Sequence, residues 1–234
     1  MSIKKISLIA VLCASLPVSG CALSSASLFS SSNNVEAAHL VGPVAWHAGN
    51  ERQCLASGYV RETPFIRARA SLGRPAGCGA ERPYVVSAAL SGSVALSPPA
   101  TLRCPMIGPV EYWLYEVVQP AARKFLGQDV ANIRVISSYS CRSRNSKRGA
   151  KLSEHGRANA IDISAFRLAD GSTVTVKANW RVSDARRSFL RAIHRGACRY
   201  FSTVLGPNAD RYHHDHFHFD LARHGRKGDG RVCK

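Results

Sequence analysis

Eight cysteines are spread along the 234 residues, at Cys13, Cys21, Cys54, Cys78, Cys104, Cys141, Cys198 and Cys233. No two form a Cys-x-x-Cys pair, so a cysteine-bound structural zinc does not account for them. What they do instead depends on the compartment, and the N-terminus speaks to that. Residues 1–20 read as a secretory signal: Lys4 and Lys5 form a basic start, an apolar stretch runs from Ile6 to Leu16, and small residues lead into Cys21. A chain exported to an oxidising space can hold its fold with disulfides.

The four residues Val18-Ser19-Gly20-Cys21 resemble a bacterial lipobox. Small residues suit a narrow peptidase subsite, and only a thiol can take a thioether-linked lipid. Cleavage before Cys21 would remove Cys13 and leave Cys21 acylated. Cys54, Cys78, Cys104, Cys141, Cys198 and Cys233 then remain, an even set expected to form disulfides; six cysteines allow 15 pairings, and spacing alone does not choose among them. Lysine and arginine total 32 against 15 acids, a formal charge of +17, of which +15 persists once the signal is gone. The expected partner is therefore acidic. With 45% hydrophobic residues the chain can bury a core, and it has no run near the ~20 apolar residues of a membrane-spanning helix.

Residues 21–45 are rich in Ser, Ala and Asn and read as a flexible tether, leaving 46–234 as the domain. Residues 46–82 are irregular, a loop-rich stretch. Tyr84–Leu90 and Ser93–Leu96 around Ser91-Gly92 predict a hairpin ended by Pro98-Pro99. Residues 106–126 carry apolar side chains at helical spacing, with Pro120 kinking the helix and Gly127 just past its end. Val130–Tyr139 predicts a strand, and Ala160–Phe166 with Thr173–Val176 a second hairpin. Ser183 is the expected cap of a helix to Ala197, and His216–Leu221 the last strand. This order predicts an α+β fold, a mostly antiparallel sheet packed with a few helices.

Two clusters carry chemistry. In His213-His214-Asp215-His216-Phe217-His218-Phe219-Asp220, four of the nine histidines crowd together. Clustered imidazoles repel when protonated and pack no better than apolar residues, so such a strand is suited to a cation. Alternation places His214, His216, His218 and Asp220 on one face and His213, Asp215, Phe217 and Phe219 on the other. The second cluster holds His155 before Gly156, and Asp162 inside the apolar run Ala160-Ile161-Asp162-Ile163, where a carboxylate is costly unless paired or bound to metal. Two histidines and one Asp would leave a fourth tetrahedral position for water, the pattern of catalytic zinc.

Ser153-x-His155-x6-Asp162 followed by Asp215-His216-x-His218 resembles the zinc pattern of the lysostaphin/D-Ala-D-Ala metallopeptidase superfamily. The wider set Leu102-Arg103-Cys104-Pro105-Met106, Val118-Gln119-Pro120-Ala121-Ala122-Arg123, Ser138-Tyr139-Ser140-Cys141-Arg142, Phe166-Arg167-Leu168-Ala169-Asp170-Gly171 and Val204-Leu205-Gly206-Pro207-Asn208 resembles the bacterial extensin-like C-terminal domain family across roughly 50–234. The resemblance implies a D-Ala-D-Ala-metallopeptidase-like core with His155, Asp162 and His218 as Zn2+ ligands. It implies either Asp215 or His216 as general base; alternation favours His216, an argument that lapses if the strand starts only there. Arg142 would meet a substrate carboxylate or the oxyanion, with Ser153 beside it in substrate binding. The resemblance also implies a Cys104–Cys141 disulfide and, with it, the pairs Cys198–Cys233 and Cys54–Cys78.

The expected activity is zinc-dependent hydrolysis of amide bonds in D-amino-acid-containing peptides of peptidoglycan, by a D,D-carboxypeptidase or endopeptidase. The alternative is a non-catalytic wall-binding lipoprotein that keeps fold and metal. The basic run Arg142 to Lys151 invites a nucleic-acid reading, but no helix-turn-helix or stacking-aromatic motif supports it, so no nucleic acid and no obligate protein partner are expected. The expected location is the bacterial envelope, anchored in the membrane through lipid on Cys21 and facing the periplasm. Ala22, in place of the Asp of inner-membrane retention, favours the outer membrane.

Overall fold

A computed structural model describes residues 51–72 and 77–234. The expected signal, the lipidation site Cys21 and the tether lie outside these residues. The segment expected to be irregular contains helix α1 (Glu51–Ser57) and edge strand β1 (Ile66–Ala68), each too short to show a periodicity. Glu51 fastens this stretch to the fold, accepting the backbone N–H groups of Glu81 and Arg82 at 3.0 and 3.1 Å.

The first hairpin forms from β2 (Tyr84–Ala89) and β3 (Val94–Leu102). Pro98 and Pro99 do not end it. They sit where the register jumps from Val86↔Ala100 to Ala88↔Ala95, in a bulge where a missing N–H breaks no ladder bond. Helix α2 (Cys104–Trp113) then runs through a π-helical turn, Leu114–Val118, into α3 (Gln119–Leu126). The wider turn comes immediately before Pro120, whose ring cannot follow an ordinary α-turn without meeting a carbonyl. Gly127 ends the helix at φ 68°, a left-handed cap that glycine adopts at no steric cost.

The chain continues as β4 (Val130–Ser137), β5 (Ala160–Leu168), β6 (Thr173–Thr175), α4 (Val176–Asn179), α5 (Ala185–Ala197), β7 (Thr203–Leu205), β8 (Phe217–Asp220) and β9 (Val232–Cys233). Asp184, and not Ser183, caps α5: its carboxylate accepts the N–H of Arg187 at 3.1 Å. The nine strands form one sheet in the order β1-β2-β3-β4-β5-β8-β7-β9, with β6 on the far half of β5. It is a mixed sheet, because β3 with β4 and β7 with β9 run parallel. The long helix between β3 and β4 carries the chain back to the starting end, which makes that pair parallel.

One face of the sheet is covered by the helices. Trp113, Phe166, Phe189, Phe201, Phe217 and Phe219 are fully buried between them, with Trp113 and Phe219 5.1 Å apart and Phe166 and Phe189 5.4 Å apart. The Trp113 indole donates to the Ile193 carbonyl at 2.9 Å, locking α2 to α5. Gly196 is required there, since a Cβ would overlap Val117.

Three disulfides close the fold. Cys54 pairs with Cys104, Cys78 with Cys141, and Cys198 with Cys233. The third is the pair expected, whereas Cys104–Cys141 and Cys54–Cys78 are corrected. Helix α1 packs on the start of α2 and brings Cys54 to a Cα distance of 5.9 Å from Cys104. The Cys78 segment lies along the turn that carries His155, with Gly79 N–H donating to the Gly156 carbonyl at 2.8 Å, and so meets Cys141.

His194 of α5 is buried against Trp180 and Phe217. Burial first, then the charge of Arg191, pushes its pKa down from 6.5 to about 4. The unfolded chain then takes up a proton that the folded one refuses, so stability is complete above pH 6.5 and declines as the pH falls to 4. The decline amounts to ~3 kcal/mol. Denaturant titrations from pH 7 to 4 should show this slope, and His194→Phe should flatten it by the His194 share.

Candidate metal centre

The opposite face of the same strands carries the polar cluster. Strand β5 is buried along Ala160–Ile163, and Asp162 pairs in register with His218 of β8. Neighbouring residues on paired strands share a face, so the two side chains meet while Phe217 and Phe219 go to the core. His155 arrives on a 3-10 turn, Glu154–Arg157. Ser153 caps this turn, its hydroxyl accepting the His155 N–H at 3.4 Å, and is itself buried. Glu154 braces the exit, accepting from the Asn159 side chain at 2.7 Å.

Three donors converge. His155 Nε2 lies 3.0 Å from an Asp162 carboxylate oxygen and 3.2 Å from His218 Nδ1. His218 Nδ1 lies 2.8 Å from the other Asp162 oxygen. The outer nitrogens fix the tautomers. His155 Nδ1 is 2.6 Å from the Ser138 carbonyl, which only accepts, so this nitrogen holds the hydrogen and Nε2 presents a lone pair. His218 Nε2 donates to Asp220 Oδ2 at 2.9 Å, turning Nδ1 inward. Asp220 is held in turn by the Ala222 N–H at 2.9 Å.

The residues fit a small cation. Bonds of about 2.0–2.1 Å in a tetrahedral shell place donors about 3.3 Å apart, close to the spacing seen. His–carboxylate and His–carbonyl contacts behind the donors are the usual support of metal-binding imidazoles. The electrostatics agree. Burial opposes a charge on His218, but hydrogen bonds to Asp162 and Asp220 overcome it and raise its pKa to about 10. Burial likewise opposes the Asp162 carboxylate, and His155 and His218 reverse that and hold it far below the usual range. Two buried carboxylates, Asp162 and Asp220, thus flank the His218 ring.

His216 borders the donors with Nε2 3.8 Å from Asp162 Oδ1. Its Nδ1 is bound to Asp215 Oδ1 at 2.9 Å. Strand β8 begins only at Phe217, so alternation does not govern these two residues, and they form one oriented pair. The one-face pattern also fails upstream: His214 is exposed with Nδ1 on the Arg211 carbonyl, whereas His213 turns inward. His213 Nδ1 is 2.8 Å from Asp210 Oδ1, and its ring lies 5.3 Å from His216 and 5.6 Å from His218. The sequence reading gives neither His213 nor Asp220 a role in the site; the short spacings Asp210-x-x-His213 and His218-x-Asp220 are the available signal.

Above the donors opens a pocket of about 420 Å³ whose rim includes Arg142, Arg144, Tyr212 and His224. The Arg142 loop is closed by a bridge between Ser143 and Leu152 and by the Ser153 N–H on the Arg142 carbonyl at 3.0 Å. The Cys78–Cys141 disulfide packs against the His155 turn, where a Cβ on Gly156 would lie 3.1 Å from Cys78 Sγ. One covalent link thus positions both the arginine rim and a donor.

No curated protein and no solved structure matches the chain. The model of the family described as extensin-like protein C-terminus matches residues 52–234, and the chain belongs to that family.

Proposed function

We propose that the protein is a zinc-dependent peptidase of peptidoglycan, with a D-Ala-D-Ala-metallopeptidase-like core, anchored in the bacterial envelope through lipid on Cys21. The observation that carries this reading is the convergence of His155 Nε2, Asp162 and His218 Nδ1 at the floor of an open pocket, each imidazole fixed from behind. When bound there, zinc supplies Lewis acidity toward an amide carbonyl and brings the pKa of water to about 7.

The chain's own groups do the rest. Asp215 holds the His216 hydrogen on Nδ1 and leaves Nε2 free to take a proton beside the donors. That arrangement replaces a choice between the two residues: His216 is the base and Asp215 orients it and steadies its charge. Departure of the amine requires a proton, which the imidazolium of His216 can return. Asp210–His213, adjoining it, is a second oriented imidazole at the pocket, its Nδ1–H donated to Asp210. Arg142 and Arg144 on the rim suit the carboxylates of acidic wall peptides. Ser153 works through the backbone of His155.

Incubation of the purified full chain with peptidoglycan in the presence of zinc should form new amine ends that a chelator prevents. His216→Ala should lower turnover by ~100-fold or more while leaving zinc affinity within a few fold. Retention on sacculi with unchanged muropeptides would favour a wall-binding module instead. Asp220→Asn should weaken zinc binding by ~10–100-fold, read by competition with a chromogenic chelator; unaltered affinity would show that Asp220 does not hold the ligand.

A further inference from the structure

Helix α5 carries arginines at positions 187, 191 and 195, one turn apart along a single stripe, and Arg181 stands just before its capped end. A charged helix face is ordinarily solvated and balanced by acids four residues away. Here the balance is missing. Asp184 is taken by Arg186 at 2.6 Å. Among the described residues, the side chains of Arg181, Arg187 and Arg195 make no ion pair or hydrogen bond, and all three are exposed. Arg191 lies over the Trp180 ring at 3.8 Å with its Nε buried and unpartnered. Burial, then repulsion from Arg187 and Arg181, pushes its pKa down.

The position of the stripe is as telling as its charge. Phe189 and His194 of α5 pack on Phe166 and Phe217, so α5 covers the face of the sheet opposite His218 and Asp162. Its apolar side is spent on that core, leaving the arginines as the outer surface. The described fold begins at Glu51 in α1, which Cys54–Cys104 ties to the same helical layer. Twenty-nine residues separate Glu51 from Cys21.

We infer that the arginine stripe of α5 docks on the anionic phosphate headgroups of the membrane, holding the domain with its pocket turned away from the bilayer. This rests on the envelope reading above. The lipid brings the chain to the surface, the guanidinium groups lie against phosphates, and the opposite face is presented to the wall. Each basic residue near an anionic surface adds about fivefold in affinity.

The test uses the full chain carrying Cys21→Ser, so that no lipid is attached, and vesicles of phosphatidylglycerol or of phosphatidylcholine alone. Arg181→Gln/Arg187→Gln/Arg195→Gln keeps Arg191 on Trp180 and should weaken binding to phosphatidylglycerol by about 100-fold at low salt. Binding to phosphatidylcholine should be unmoved. The matched triple Arg144→Gln/Arg148→Gln/Lys151→Gln, on the pocket side, should cost less than tenfold. Equal losses from the two triples overturn the proposal, as does binding indifferent to lipid charge. Tighter capture by soluble polyphosphate that vesicles do not relieve overturns the membrane as occupant. Should the first triple not fold, the unaltered chain decides: its vesicle binding must fall with added salt. Zinc affinity and wall digestion, measured on the α5 triple, should not change, so failure of the peptidase reading is scored apart.

Discussion

The register between β5 and β8 is the constraint on which both faces of the molecule depend. With Asp162 opposite His218, Ile161 and Ile163 fall opposite Phe219 and Phe217. A slip of one residue would send the aromatic rings to the polar side and the imidazole into the helices. Four residues of β8 therefore serve two ends: Phe217 and Phe219 fill the aromatic core, and His218 and Asp220 build the donor cluster. The core fixes the register, and the register assembles the site.

Burying two carboxylates and two imidazoles in one place is unfavourable unless every partner is present. Each group here has one: His155 has the Ser138 carbonyl, His218 has Asp220, and Asp220 has the Ala222 N–H. Glu154, also buried, is met by Asn159. Such a network gives little net stability, but it leaves a single low-energy arrangement for the donors. Cys78–Cys141 works at the next level out, fixing the loop from which Arg142 projects to the turn that holds His155.

What the sequence made legible follows from how each feature is encoded. The long helix through residues 104–126 showed its 3.6-residue period, and β5 showed an apolar run broken by one carboxylate. Those signals are local. Strands β7 and β9, at three and two residues, are too short to carry any period, and α1 is only seven residues long. The support of His155 comes from a backbone carbonyl, which leaves no mark on residue type. His213 and His214 were misplaced because an alternation that holds from Phe217 onward was extended into a turn. The Cys54 and Cys78 partners depend on which loop lies beside which, and that is decided by packing among segments far apart in the chain.

The contrast between strand and turn within the histidine run has a mechanical meaning. His155, Asp162 and His218 sit on a capped turn and on two central strands, where displacement would break ladder bonds and aromatic packing. Asp210, His213, Asp215 and His216 belong to the segment between β7 and β8, held chiefly by their own side-chain pairs. Groups that bind a cation gain from rigidity, since misplacement by a fraction of an ångström weakens all the bonds at once. A group that takes up and returns a proton must face first one atom and then another, and a turn permits the small rotation this needs. The division of one eight-residue run into a turn and a strand matches the two tasks proposed for it.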